Sequence, residues 1–277
     1  GRVARVEQPE LNCVNVDVDC LEAVMEEIEN GEQGVFECAY RDGVRYVPEM
    51  VAGGKKSGSE MEKAMVGPEG LRYVVTGGFG SLAKGCVTWL GQGEAKRVTL
   101  VGRQGAAEKH EEMLEESQFE EGMVCLRGDS SELGHVKGLT AVTGGVEGLM
   151  HLAGTATAAL LSKTGRKSLR DSFKPKVGTL KNLEKAEVME GLKSSVLFSS
   201  QATLIPVHGQ GAYASANFAM ESYTVPGKIV ALCWGAFGDG GMYQTISRRK
   251  QKAGLRYWTP LESGNIPQLL DHALDGK

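Results

Sequence analysis

From Leu71 onward, short apolar runs alternate with helical stripes, and that alternation leaves the chain few folds to adopt. Leu71–Thr76, Arg97–Val101, Met123–Leu126, Val146–Leu152, Ser195–Phe198 and Lys228–Trp234 read as strands. Leu82–Leu90, Glu108–Glu116, Leu133–Thr143, Asp171–Glu190, Gly211–Tyr223 and Ile266–Leu274 read as helices between or after them. Strands joined through helices require right-handed crossovers, which put a parallel sheet between two helical layers. The expected class is therefore α/β, a doubly wound parallel Rossmann sheet whose ligands bind at the carboxyl ends of its strands. The 38 glycines agree with this, at twice the usual ~7% share. They are dispersed rather than periodic, as many tight strand-to-helix turns demand.

The first fifty residues predict a smaller module. Cys13–Val18 alternates with period two, Leu21, Val24, Met25 and Ile28 form a helical stripe, and Val35–Tyr40 and Val44–Val47 flank an Arg41-Asp42-Gly43 hairpin turn. Residues 52–70 are rich in Gly, Lys, Ser and Glu without a period, which divides the chain into 1–51, a linker over 52–70 and a main domain over 71–277. The chain opens on Gly1 rather than methionine, as a piece of a longer polypeptide or a chain with a cloning scar would.

Composition removes several classes of function. With 31 basic and 35 acidic residues the net charge is −4, so no basic surplus favours a nucleic-acid backbone. Apolar runs fall far short of the ~20 residues of a membrane span. Six scattered cysteines without a CxxC pair, and five scattered histidines, suggest neither a metal site nor a disulfide framework. For the several cysteines that lie in apolar strand-like runs, buried thiols in a reducing, cytoplasmic compartment are the expectation.

The first strand-to-helix turn carries the clearest chemistry. Gly78-x-Gly80-x-x-Ala83 satisfies G-x-G-x-x-G/A directly after a strand and before a helix. Glycines there let the backbone approach a pyrophosphate, and the helix N-terminus adds free N–H groups and partial positive charge. Thr76, Gly77, Gly78, Phe79, Gly80 and Leu82 are the expected cofactor contacts on this turn. The second strand ends in Gly102-Arg103, where an NAD-selective site would carry a carboxylate. A guanidinium suits a 2′-phosphate, so NADPH is the expected cofactor. Asp129, past the third strand, is a candidate for the adenine amino group, or else an ordinary turn residue.

At the other end, Ser199-Ser200 closes a strand and Tyr213 follows thirteen residues after Ser200. Asn217, four residues on, shares a helix face with the tyrosine. Lys176 lies upstream in Phe173–Gly178.

Taken together, TGGFGSLA (76–83), VTLVGR (98–103), GLMHLAG (148–154), FKPKVG (173–178), VLFSS (196–200), GQGAYASAN (209–217) and ALCWGAFGDGGM (231–242) resemble the ketoreductase domains of modular polyketide synthases, within the short-chain dehydrogenase/reductase superfamily. The resemblance covers Leu71 to Asp275. It includes a Tyr-x-x-x-Asn pattern with the lysine moved upstream. It implies Tyr213 as proton donor, Ser200 as a second hydrogen bond to the substrate carbonyl, Lys176 as an ammonium that acidifies the phenol and holds the nicotinamide ribose, and Asn217 as a positioning residue. It adds Ala153 and Gly154, after the fourth strand of the main sheet, to the cofactor contacts. The N-terminal piece resembles the latter part of the truncated Rossmann-like structural subdomain that precedes such ketoreductases.

The implied reaction is NADPH-dependent reduction of a β-ketoacyl thioester on the phosphopantetheine arm of an acyl carrier protein, beside neighbouring synthase domains. A catalytically silent scaffold and a reductase of free small ketones are the alternatives. Two stereochemical markers of the family are missing, with Ala156-Thr157-Ala158 in place of Leu-Asp-Asp and Ile205 in place of a tryptophan. The stretch from Asn217 to Trp234 is several residues shorter than is usual in the family. Gly235–Gly241 with Met242 is a candidate lid.

Overall fold

The structure is a computed structural model that describes residues 1–10, 13–31, 35–49, 67–107, 110–116, 118–155, 158–239 and 259–274. Ala156, Thr157, Met242 and most of the expected linker lie outside the described residues. The chain divides into two units, Gly1–Ser59 and Glu60–Lys277.

In the first unit a short helix, α1 (Arg2–Glu7), precedes β1 (Asn15–Val18), α2 (Glu22–Asn30), β2 (Glu37–Arg41) and β3 (Val44–Tyr46). β1 and β2 pair in parallel across α2, a single βαβ crossover, and β3 returns antiparallel. Asp42 and Gly43 both have positive φ (50° and 74°), which a two-residue hairpin turn between twisted strands requires. The helix forms where its stripe predicts but faces the other way. Leu21, Met25 and Ile28 are exposed, while Ala23 and Glu27 are buried. Glu27 explains the rotation. Its carboxylate accepts from Arg45 Nε (2.6 Å) and Nη2 (2.8 Å) and from the Tyr40 hydroxyl (2.9 Å), so the buried charge is paired and hydrogen-bonded.

The second unit contains six parallel strands: β4 (Arg72–Thr76), β5 (Arg97–Gly102), β6 (Met123–Arg127), β7 (Gly148–His151), β8 (Ser194–Ser200) and β9 (Ile229–Trp234). Their spatial order is β6-β5-β4-β7-β8-β9. Numbered within this unit, that is the 3-2-1-4-5-6 order of the doubly wound fold, with the reversal between β4 and β7. The helices are α3 (Ala83–Gln92), α4 (Glu111–Glu116), α5 (Leu133–Thr143), α6 (Arg166–Phe173), α7 (Thr179–Lys185), α8 (Val188–Gly191), α9 (Gly211–Glu221) and α10 (Ile266–Leu274).

Both faces of the sheet are covered, which is why its central strands are apolar throughout instead of alternating. On one face Tyr73, Val75, Leu100, Met150 and Phe198 pack with Leu90 of α3 and with Ile266 and Leu270 of α10. On the other, Val74, Leu149 and Leu197 pack with Leu180 and Leu183 of α7 and Met220 of α9. Trp89 Nε1 donates to Asp271 Oδ1 at 2.7 Å and ties α10 to α3.

The long helix expected over Asp171–Glu190 is broken into pieces. Lys174–Gly178 is a π-helical turn between α6 and α7, with Pro175 near its start. Proline lacks an N–H and crowds the preceding turn, and the wider π turn relieves both problems. Glu187, at φ 59°, then separates α7 from α8. Among the described residues, no helix is long and apolar enough to cross a membrane.

Candidate active site

Strand order reverses between β4 and β7, so the crevice for a ligand opens at their carboxyl ends. Gly77 follows β4 at φ 71°, a conformation that L residues enter at a cost. A Cβ on Gly77 would lie 2.9 Å from the Ala153 nitrogen, beyond β7, and one on Gly78 would lie 2.9 Å from Leu100 Cβ. A Cβ on Gly80 would meet only the Gly77 carbonyl, at 3.1 Å. The turn is thus packed on its protein side and leads into α3, the form needed to receive a pyrophosphate. The Gly78 N–H donates to Val101 O at 3.1 Å, which fixes the turn to the end of β5.

The neighbouring side chains divide between cleft and core. Arg103 is exposed and makes no ion pair among the described residues. Asp129 Oδ1 accepts from the Ser131 N–H (3.0 Å) and hydroxyl (2.5 Å), so one of its oxygens serves its own turn. Thr76 is fully buried, with Oγ1 2.6 Å from His151 Nδ1. Phe79 turns inward: it meets His110 edge-on at a centroid distance of 5.3 Å and lies over Gly102. Thr76 and Phe79 therefore offer the cleft backbone rather than side chain. Leu82 packs against the core as well.

Lys176 emerges from the π turn and is buried. Its Nζ donates to Phe198 O on β8 at 2.9 Å. Its Cε would lie 3.1 Å from a Cβ on Gly154, so the lysine passes beside the end of β7. His151 supports this arrangement, with Nε2 2.9 Å from Lys176 O while Nδ1 meets Thr76. Burial, with the Lys176 charge adding to it, holds His151 near 3, so the imidazole is neutral and acts as a strut. No sequence argument assigned it a role, although it stands within the GLMHLAG segment.

Ser200 ends β8 and caps the short turn 201–203, its Oγ accepting from the Ala202 N–H at 3.2 Å. Tyr213 and Asn217 stand one turn apart on α9, and Asn217 Nδ2 donates to Tyr213 O at 2.9 Å. Asn217 Oδ1 is buried without a hydrogen-bond partner among the described residues. Ser200 and Asn217 stand close enough to the Tyr213 phenol to favour its ionised form, against the burial that disfavours it. The site therefore brings Ser200, Tyr213 and Asn217 together, with Lys176 held against the same strand, two residues before Ser200.

A lysine-acidified phenol would sit below its ordinary value, but burial outweighs Ser200 and Asn217 and holds Tyr213 above it. The Lys176 ammonium is directed at a backbone carbonyl, and burial brings it down to about 7, with the Glu221 charge acting the other way. A phenol kept above its usual value stays protonated at neutral pH. It holds its proton there, as a donor must, while the upward shift by itself makes it the weaker acid.

A profile described as the KR domain matches residues 72–225. A phenolphthiocerol/phthiocerol polyketide synthase of Mycobacterium tuberculosis is 27% identical over 264 residues, which are 88% of this chain and 14% of that protein. An erythronolide synthase of Saccharopolyspora erythraea is 26% identical over 262 residues, 87% of this chain and 8% of its own. The chain thus corresponds to a small part of either synthase. Among solved structures, a ketoreductase from the first module of phoslactomycin biosynthesis in Streptomyces sp. HK803 superposes with a TM-score of 0.81 at 25% identity, covering 99% of this chain and 65% of that one. The first ketoreductase of the tylosin polyketide synthase shares the fold, with a TM-score of 0.77 at 23% identity over 100% of this chain and 62% of that one.

Proposed function

The chain belongs to the KR domain family, and from that premise we propose that it reduces a β-ketoacyl thioester, presented on an acyl carrier protein, to the β-hydroxyacyl thioester with NADPH. The observation that carries this reading is the convergence of Ser200, Tyr213 and Asn217 beside a buried Lys176, on the strand ends that also form the glycine turn.

A reduced nicotinamide bound along that turn supplies the hydride. The protein's own part is to stabilise the oxygen on which negative charge develops. As the carbonyl carbon gains the hydride, its oxygen acquires an electron pair and takes the Tyr213 phenolic proton. Ser200 gives the same oxygen a hydrogen bond. Like any phenol at neutral pH, Tyr213 carries that proton before the reaction, and charge developing on the substrate oxygen draws it across. Lys176 returns a proton to the phenolate: the lysine, near 7, exchanges protons readily at neutral pH, and the orphaned Asn217 Oδ1 can order a water on the way. Arg103 is the group suited to a 2′-phosphate, with Gly77, Gly78, Gly80, Ala153 and Gly154 lining the pyrophosphate and ribose path.

Purified protein would be given NADPH and a model β-keto thioester while the reduced-cofactor absorbance is followed. Tyr213→Phe is expected to lower turnover by at least ~10²-fold while cofactor affinity stays within a factor of two. Retained turnover removes Tyr213 as the donor. Turnover of free ketones alone redirects the assignment to a small-ketone reductase, and none with any ketone makes the domain a scaffold.

A further inference from the structure

Glu221 ends α9, on the same stripe as Tyr213 and Asn217 at successive intervals of four residues. Its Oε1 accepts from the buried hydroxyl of Ser199 on β8. The same oxygen lies 3.5 Å from Cys233 Sγ on β9, and Ser199 and Cys233 are register partners across the two strands. Thr203 completes the cluster, 3.6 Å from that sulfur and donating to Ser200 O at 3.0 Å. One carboxylate therefore joins the helix bearing Tyr213 and Asn217 to the strand end that presents the Phe198 carbonyl to Lys176 and Ser200 to Tyr213. Ser199 lies between those two β8 residues.

We propose that Glu221 is a positioning residue of this site: by accepting from Ser199 and Cys233 it holds α9 in register with the end of β8, and so sets Tyr213 against Ser200. This rests on the ketoreductase reading given above. Glu221 touches neither substrate nor cofactor in this scheme. It acts through Ser199, and an acceptor of the same length should serve in its place.

The test compares Glu221→Ala, Glu221→Gln and Glu221→Asp by steady-state kinetics with a β-keto thioester, by fluorescence titration of NADPH, and by mass-spectrometric alkylation rates at Cys233. Misplacing a catalytic pair by a fraction of an ångström costs on the order of tenfold or more in turnover. Glu221→Ala is expected to lose that much kcat with cofactor affinity and KM within about twofold, while Glu221→Gln, which keeps an acceptor oxygen, stays within about threefold of the wild type. Glu221→Asp, one methylene short, falls between them. Unchanged kcat in Glu221→Ala overturns the proposal. So does an equal loss in Glu221→Gln, or a loss of turnover that cofactor binding shares. Should Glu221→Ala not fold, Ser199→Ala cuts the same bond from the strand side and carries the same expectation.

Alkylation separates this outcome from a failure of the functional reading, because it needs no turnover. Burial holds the Cys233 thiol up and the Glu221 carboxylate adds to it, so Glu221→Ala and Glu221→Gln, which remove that charge, should both speed alkylation there several-fold. An unchanged rate shows that the Ser199–Glu221–Cys233 link is not made and overturns the proposal. A wild type inactive on every ketone, with alkylation accelerated in the variants, rejects the ketoreductase reading and leaves the α9–β8 link standing.

Discussion

Gly77→Ala tests the cofactor turn most directly, because two separable penalties meet at one atom. The first is conformational. At φ 71° an L side chain costs roughly 1–2 kcal/mol. The second is steric, since the new methyl would lie 2.9 Å from Ala153 N and 3.0 Å from both Ala153 Cα and Leu152 C. These are backbone atoms of the segment that directly follows β7, so relief requires shifting that segment, at an overpacking cost of roughly 1–3 kcal/mol. The sum is about 2–5 kcal/mol. Gly122→Ala isolates the first term, since Gly122 has nearly the same φ of 76° with nothing within 4 Å of its Cβ position. It should cost only roughly 1–2 kcal/mol.

Urea denaturation of both variants, followed by circular dichroism, gives the difference. A second reading comes from NADPH fluorescence, where Gly77→Ala should weaken binding at least ~10-fold by displacing Ala153 and the turn together, a loss of about 1.4 kcal/mol. Gly122→Ala should leave binding unchanged. If Gly77→Ala is no more destabilised than Gly122→Ala, the close approach of the turn to β7 is wrong, and the cleft built on it fails too.

Further expectations concern charge. Arg103→Ala should weaken NADPH binding about 10- to 100-fold, the worth of a charge-assisted contact, and alter NADH by less than about threefold; equal losses, measured by fluorescence titration, remove the basis for choosing the phosphorylated cofactor. Lys176→Met should stabilise the chain most below pH 7. There the ammonium is buried in the native state, whereas between about 7 and its ordinary value near 10.5 only the unfolded chain holds the proton, so wild-type stability rises with pH and the gap narrows. Urea midpoints at pH 6, 8 and 9.5 check this, and a gap that widens with pH contradicts it. In the first unit, Arg45 and Tyr40 hold Glu27 near 2 against an ordinary 4.5. Hydrogen exchange of the β2 amides should therefore show an advantage over Glu27→Gln that is complete above pH 5 and lost as the pH falls from 4.5 towards 2.

Much of the fold was legible because its signals are local. Strand runs, the glycine turn after β4, the Asp42-Gly43 hairpin and the bounds of α5 and α10 all follow from periodicity and backbone preference over a few residues. Where the sequence misled, a long-range contact prevailed. The stripe of α2 pointed Leu21, Met25 and Ile28 inward, but a carboxylate paired with Arg45 from β3 turned the helix to bury Glu27. The break in the helix over Asp171–Glu190 is a different case, a local one: Pro175 stands in the sequence, but an apolar stripe does not register it.

The same division runs through the site. Residue type and spacing marked the glycine turn, whereas Ser200, Tyr213, Asn217 and Lys176 were singled out only by the resemblance of their segments, taken together, to a known family. The direction in which the phenol and the ammonium are shifted was decided by tertiary structure alone, because it depends on burial and on where Lys176 Nζ finds an acceptor. His151 and Glu221 belong to that second category. Each acts by bridging segments far apart in the chain, and a bridge has no spacing to be read until the strands have been set side by side.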